Sequence, residues 1–333
     1  MNVKYVLGLD QGGSKTHAVV ADMEGNILGC GTGAGACHSV AGLGVAMAAI
    51  RDASMQAIGA AGLSTAQIDV VAAGLTGVDW PHETQLLRGA LSDTLQIPQD
   101  RILVVNDCLI ALRAGTSKPS GCILCAGSGL NCAVRHPDGR EYTFGFYIED
   151  ACQGGNALGL RTLQAVFDAE AGLCPPTSLT QKVLAHMGCE SVDQMLFRHV
   201  TSGLGSERIL RLPPVVEEAA IEGDEVAKEV LRVFGRDIAR YVVAGLRRLD
   251  MLAMDVEVIL SGSIFKCRAP ELIGTVTEVI LGSAPHARIL ESVYEPVIGA
   301  MLMALDHLES TDGALIQAHI ERDAKRFHMV RKH

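Results

Sequence analysis

Tyr5-Val-Leu-Gly-Leu-Asp-Gln-Gly-Gly-Ser-Lys-Thr-His-Ala-Val-Val-Ala21 decides how the chain is read. Tyr5, Val6, Leu7 and Leu9 are strand formers. Gln11-Gly12-Gly13-Ser14 reads as a turn that uses glycine's freedom at positive φ. His17 to Ala21 is apolar again, so the stretch predicts strand, turn and strand. Asp10 sits at the end of the first strand. Such a turn suits a nucleotide phosphate: glycines let backbone N–H groups approach phosphate oxygens, Ser14 and Thr16 add hydroxyls, and Lys15 adds charge. Asp10 could hold the magnesium ion that such a phosphate carries. The same residues also read as an ordinary β-hairpin with a glycine turn.

Two familiar phosphate motifs do not fit. Gly8 and Gly13 have P-loop spacing, but Ser14 stands where the lysine should be and no helix pattern follows. Gly31-Thr32-Gly33-Ala34-Gly35-Ala36 has the form of a dinucleotide turn. It reaches no ribose-binding acid at the end of a next strand, and it reads as a loop.

The 333 residues are enough for two domains. Hydrophobic residues make up 48% of the chain, so a sizeable core is available. A net charge of −10 argues against nucleic-acid or anionic-membrane partners, whose footprint is basic. No leader pattern and no bilayer-length apolar run stands out, and the ten cysteines read as reduced thiols; the expectation is a cytoplasmic protein. Cys122-x-x-Cys125 lies in an apolar strand pattern, where residues i and i+3 face opposite sides, so it reads as core.

Further along, a third strand covers Ile27–Cys30 and a helix Gly42–Ala61. A strand at 70–75 ends in Thr76-Gly77, and a helix covers Glu83–Leu95. A strand at 101–107 ends in Asn106-Asp107, and a short helix spans Leu109–Ala114. Then the opening recurs. Cys122–Ala126 is a strand, Gly127-Ser128-Gly129-Leu130 a glycine turn, Asn131–Val134 a second strand and Glu141–Gly145 a third. Helices follow at 157–171, 178–187 and 215–249. A strand at 256–261 runs into Gly262-Ser263, and helices at 270–281 and 295–308 close the pattern. A duplicated three-stranded meander with added βα units predicts two similar α/β domains. The boundaries are expected at 1–118 and 119–310, with a partly helical tail over 311–333. Two glycine turns facing one another across a cleft could hold a polyphosphate.

Four segments carry a family resemblance. Asp10-x-Gly-Gly-Ser-Lys-Thr16, Asn106-Asp107, Gly127-Ser-Gly-Leu-Asn131 and Leu260-Ser-Gly-Ser263 resemble the phosphate-1, catalytic, phosphate-2 and adenosine motifs of the actin/hexokinase superfamily. Within it, the chain looks like the N-acetylglucosamine kinase group and its BadF/BadG/BcrA/BcrD ATPase relatives, over roughly residues 3–308. The resemblance implies an α/β fold of two RNase H-like (actin-like ATPase) domains. Each would be a mixed sheet with flanking helices, and ATP and substrate would lie in the interdomain cleft. It implies Asp107 as the general base, and Asp10 as the magnesium-site acid. Gly12, Gly13, Ser14, Lys15, Thr16, Gly127, Ser128, Gly129, Gly262 and Ser263 would bind ATP. Thr76, Gly77, Asn106, Asp107, Asn131, Glu149 and Asp150 would line the acceptor side. The expected activity is ATP-dependent phosphorylation of a hexose or amino sugar, N-acetylglucosamine or glucosamine, by a homodimer.

The sugar side departs from the family pattern. His38-Ser39-Val40 is present, but Ala36-Cys37 precedes it where an asparagine is usual. Glu149-Asp150-Ala-Cys-Gln-Gly-Gly155 stands in place of Gly-Asp-Glu-Gly-Ser, with its acids displaced, and Leu130 replaces a serine. Glu149 and Asp150 could reach a sugar or form a solvated acidic turn. Two other readings share the fold: an ATPase activator of a radical dehydratase, and a non-catalytic sugar or nucleotide sensor.

Overall fold

A computed structural model describes residues 4–309 and 313–331. In chain order the first elements are β1 (Tyr5–Gln11), β2 (Lys15–Asp22), β3 (Ile27–Ala34), α1 (His38–Ala41), α2 (Leu43–Ala60), β4 (Ile68–Leu75), α3 (Pro81–Leu95), β5 (Ile102–Asn106) and α4 (Asp107–Gly115). There follow β6 (Gly121–Ala126), β7 (Leu130–Arg135), β8 (Glu141–Thr143), α5 (Gly154–Glu170), α6 (Leu179–Met187), α7 (Val192–Thr201), α8 (Ser206–Leu210), α9 (Pro213–Ile221) and α10 (Glu225–Arg248). The last are β9 (Glu257–Ser261), α11 (Pro270–Ser283), β10 (Arg288–Glu291), α12 (Pro296–His307) and α13 (Gly313–Arg326).

Two five-stranded sheets result. One runs β3-β2-β1-β4-β5 and the other, taken from its far edge, β8-β7-β6-β9-β10. The meander of the first half is thus laid out again in the second, strand for strand. In the first sheet β1 pairs antiparallel with β2 and parallel with β4, which makes it mixed. This is the α/β architecture that the duplicated pattern implied.

The chain divides into two compact units. The first holds Met1–Ile123, Ala133–Thr143 and Leu290–His333; the second holds Leu124–Cys132 and Phe144–Ile289. In the first unit β1 is buried along nearly its whole length, and Leu7, Leu9, Val20, Ile50 and Leu91 pack on one side of the sheet. Val6, Val19, Ala72, Val297 and Met301 pack on the other. α13 is fastened to this unit by Asp323, whose carboxylate accepts from the Ile27 backbone N–H at 3.0 Å. Of the tail expected over 311–333, residues 311, 312, 332 and 333 lie outside the described residues.

The glycine run at 31–36 is a correction to the loop reading. Gly31, Gly33 and Ala34 belong to β3. Gly29, Gly31 and Gly33 share one face of that strand, because successive residues alternate. A Cβ on them would stand 2.2, 2.0 and 2.5 Å from the carbonyl oxygens of Ala57, Ala53 and Ala49. Those three alanines form an i, i+4 row on α2. The glycines therefore serve close packing of a helix backbone on a strand. Glu141–Gly145 is also shorter than expected: β8 ends at Thr143 and a 3₁₀ turn begins at Gly145. Among the described residues no helix is long and apolar enough to cross a membrane.

Candidate active site

In the first unit, β1 and β5 bring two carboxylates near one another. Asp10 is buried at the end of β1. Asp107 does not end the strand: β5 stops at Asn106, and Asp107 is the first residue of α4. Asn106 is the helix cap, accepting from Cys108 N–H at 3.0 Å through its side-chain oxygen. Its amide nitrogen donates to Val78 O and Asp79 Oδ1, both at 3.1 Å. Asp107 is held by a side-chain hydrogen bond with Thr76. Its carboxyl is pushed up to about 6, first by burial and then by Asp79, against that bond. Burial also pushes Asp10 up to about 7, and the Asp107 charge adds to it. Two acids shielded from water, both with raised values and one at the end of the strand that leads into a glycine turn, suit an acid–base or cation-assisted site.

The turn itself is built differently from the sequence reading. Neither Gly12 nor Gly13 has positive φ. A Cβ on Gly13 would meet nothing within 4 Å, and one on Gly12 would meet only the Lys15 carbonyl. These glycines keep the turn bare. Gly12 N–H closes it on Lys15 O at 2.9 Å. Gly13, Ser14 and Lys15 are exposed. Lys15 Nζ pairs with Glu295 Oε2 at 2.9 Å. Thr16 is different: it is fully buried, and its hydroxyl donates to Ala34 O at 2.7 Å, so it braces the hairpin. Gly77 does adopt a left-handed φ of 82°, and its Cα faces Cys37 and His38.

Three neighbours of this cluster were not singled out as site residues from sequence. Glu83 Oε2 accepts from the N–H groups of Asp79 and Trp80 at 2.8 and 2.9 Å. Its other oxygen lies 3.5 Å from His38 Nε2. Asp79 is raised by burial and by Glu83. The only local signal was Pro81 with Glu83 two residues on, a helix start whose acid reaches back to free N–H groups.

In the second unit, Gly127, Ser128 and Gly129 form the turn between β6 and β7, with Gly127 N–H on Gly129 O at 2.9 Å. The first turn of α5 is stitched to it: Gly155 N–H donates to Gly127 O at 2.8 Å and Asn156 N–H to Ser128 O at 3.3 Å. Gly262 sits at φ 109°, and a Cβ there would stand 2.2 Å from Ala126 O. Gly127, Ser128 and Ser263 line one pocket of 340 Å³ together with Leu210, Pro213 and Pro214. That size lies in the ordinary small-molecule range of about 300–1,000 Å³. The structure thus joins the second glycine turn and the Gly262-Ser263 turn. Asn131 stabilises its own surroundings, its side-chain oxygen accepting from Cys132 and Gly145 N–H at 2.8 and 3.1 Å. Glu149 is ion-paired with Arg240, and its N–H donates to Tyr241 OH at 3.1 Å. Asp150 is exposed at the start of a short 3₁₀ turn. Among the described residues no group of three or more His, Cys, Asp or Glu side chains is arranged to hold a metal ion.

Known proteins resemble the chain along most of its length. A Clostridium acetobutylicum N-acetylmuramic acid/N-acetylglucosamine kinase is 25% identical, over 91% of this chain and 98% of its own. A Vibrio cholerae glucosamine kinase is 27% identical, over 73% and 80%. The crystal structure of a Chromobacterium violaceum protein described as a candidate N-acetylglucosamine kinase superposes with a TM-score of 0.63, at 23% identity, covering 91% of this chain and all of that one. The profile of the BadF/BadG/BcrA/BcrD ATPase family matches residues 7–304, and the chain belongs to that family.

Proposed function

We propose that the protein transfers a phosphoryl group from ATP to a hydroxyl of an amino sugar, N-acetylglucosamine or glucosamine, with Asp107 taking the hydroxyl proton. Asp107 itself supports this most. It is a half-buried carboxylate restrained by Thr76, with a pKa raised to about 6. A base acts best when its pKa lies near the working pH. The relatives' activities supply the acceptor class.

Phosphoryl transfer is mostly positioning and charge neutralisation. In this reading the bare turn at Gly12, Gly13 and Ser14 offers backbone N–H groups to the phosphates, and Lys15 exchanges Glu295 for a phosphate oxygen. Gly127, Ser128 and Gly129 form the second phosphate loop, and Gly262 and Ser263 border the nucleoside. Thr76 and Asn106 position Asp107, while Gly77, Asn131, Glu149 and Asp150 are proposed on the acceptor side. Asp10 suits magnesium: it is buried beside a second carboxylate, and a cation would relieve that repulsion. Magnesium typically binds through one or two carboxylates plus substrate phosphates, and when bound it neutralises charge on the transferring group. Asp10→Asn is expected to raise the magnesium concentration for half-maximal turnover by at least about tenfold. An unchanged titration would remove Asp10 from that role.

The test of the function is coupled ADP release with magnesium-ATP against a panel of hexoses, amino sugars and N-acetyl amino sugars. Turnover that depends on one amino sugar is expected. ADP release indifferent to every sugar would overturn the proposal.

A further inference from the structure

The pocket in the second unit has two kinds of lining. Gly127, Ser128 and Ser263 belong to the two turns, and Leu210, Pro213, Pro214, Ile264 and Cys267 are apolar. One carboxylate lines it, Glu217 on α9, with its side chain only 17% exposed. The guanidinium at the pocket, Arg211, is 70% exposed and turned to Glu207 at 2.6 Å. Glu217 is not a mobile surface acid. Its Oε1 accepts from Arg268 N–H at 2.9 Å and from Arg268 Nε at 3.3 Å. That fixes the side chain and leaves Oε2 as the acceptor available to a ligand. Cys267, in the same lining, feels the Glu217 charge, which adds to burial in holding its thiol up to about 11.

We infer that Glu217 reads the nucleotide base, accepting a hydrogen bond from the exocyclic amino group of adenine. A flat ring suits apolar walls formed by prolines and aliphatic side chains. An ionised carboxylate only accepts, so it selects a ring edge that donates. Adenine presents an amino group at position 6. Hypoxanthine and guanine present an oxygen there, which would meet the carboxylate as acceptor against acceptor. With Oε1 already engaged twice, the carboxylate does not offer the paired oxygens that a guanine edge would take. The inference rests on the nucleotide half of the proposed function and adds the residue that sets purine preference.

The experiment is calorimetric titration with magnesium and ADP, IDP or 2′-deoxy-ADP, without sugar, on the full chain and on Glu217→Gln. The wild-type protein should bind ADP at least about tenfold more tightly than IDP, as expected for one hydrogen bond to a charged group. Glu217→Gln should bring the two within about threefold, since an amide can present either oxygen or N–H to position 6. Equal wild-type binding of ADP and IDP would overturn the inference without needing the variant. So would a Glu217→Gln change that weakens discrimination against 2′-deoxy-ADP instead, because the carboxylate would then be reading the ribose. Binding of no diphosphate would overturn it together with the nucleotide site. Base-dependent binding with no sugar-dependent turnover would leave it standing while the kinase reading fails.

Discussion

Asp107→Asn is expected to lower turnover about a thousandfold while raising the melting temperature. The amide keeps the size and much of the hydrogen bonding but cannot take a proton. The stability gain follows from the raised pKa of about 6. A carboxyl whose folded value lies above its unfolded value holds more protons when folded. Stability therefore falls as pH rises from about 4 towards 6, and above that the buried charge is a standing cost. Removing it should contribute on the order of 1 kcal/mol at pH 8, with little gain at pH 4. The wild-type activity should show the matching limb, lost as pH falls through about 6. Steady-state kinetics and melting curves at the two pH values check this. An active Asn variant would remove Asp107 as the base, and a variant less stable at pH 8 would refute the electrostatic account.

Gly299→Ala is expected to destabilise the fold by more than about 3 kcal/mol. α12 crosses α4 so closely that a Cβ on Gly299 would stand 1.8 Å from Ile110 O and 2.6 Å from Ala114 N. These are backbone atoms of a helix and cannot turn aside as a side chain could. The helices would have to separate, opening the contacts of Ile110, Val297 and Met301 with the sheet. Gly274→Ala in α11 is the control. It is exposed, and a Cβ there would meet nothing within 4 Å. It should stabilise by about 1 kcal/mol through helix propensity. Thermal melts of the two variants separate the effects. Equal melting temperatures would show that the α4–α12 approach has slack.

Much of the fold was legible because strand patterns and glycine turns are local. Tyr5–Ala21 and Cys122–Val134 share one order of elements, and the two sheets repeat it. Asn106-Asp107 was legible as a motif, but the helix boundary was not. Which of the two residues caps α4 depends on where β5 releases the chain, and that is one residue earlier than the strand end expected at Asp107. Asp79 and Glu83 were missed, and His38 was noted only within its own segment, because the three gather from the starts of α1 and α3 and the turn before α3, whose contact no local periodicity encodes. Thr16 was read towards phosphate, yet its hydroxyl is spent on Ala34 O, a partner eighteen positions away.

By itself the sequence determined the duplicated strand order, the two glycine turns and the carboxylates at 10 and 107, because each is written in neighbouring residues. Only the tertiary structure decided why β3 is rich in glycine, which hydroxyls face inward, and that Glu217 shares a pocket with Gly127 and Ser263. Those outcomes depend on which backbones pack within a few ångströms of one another, a property of elements far apart in the chain.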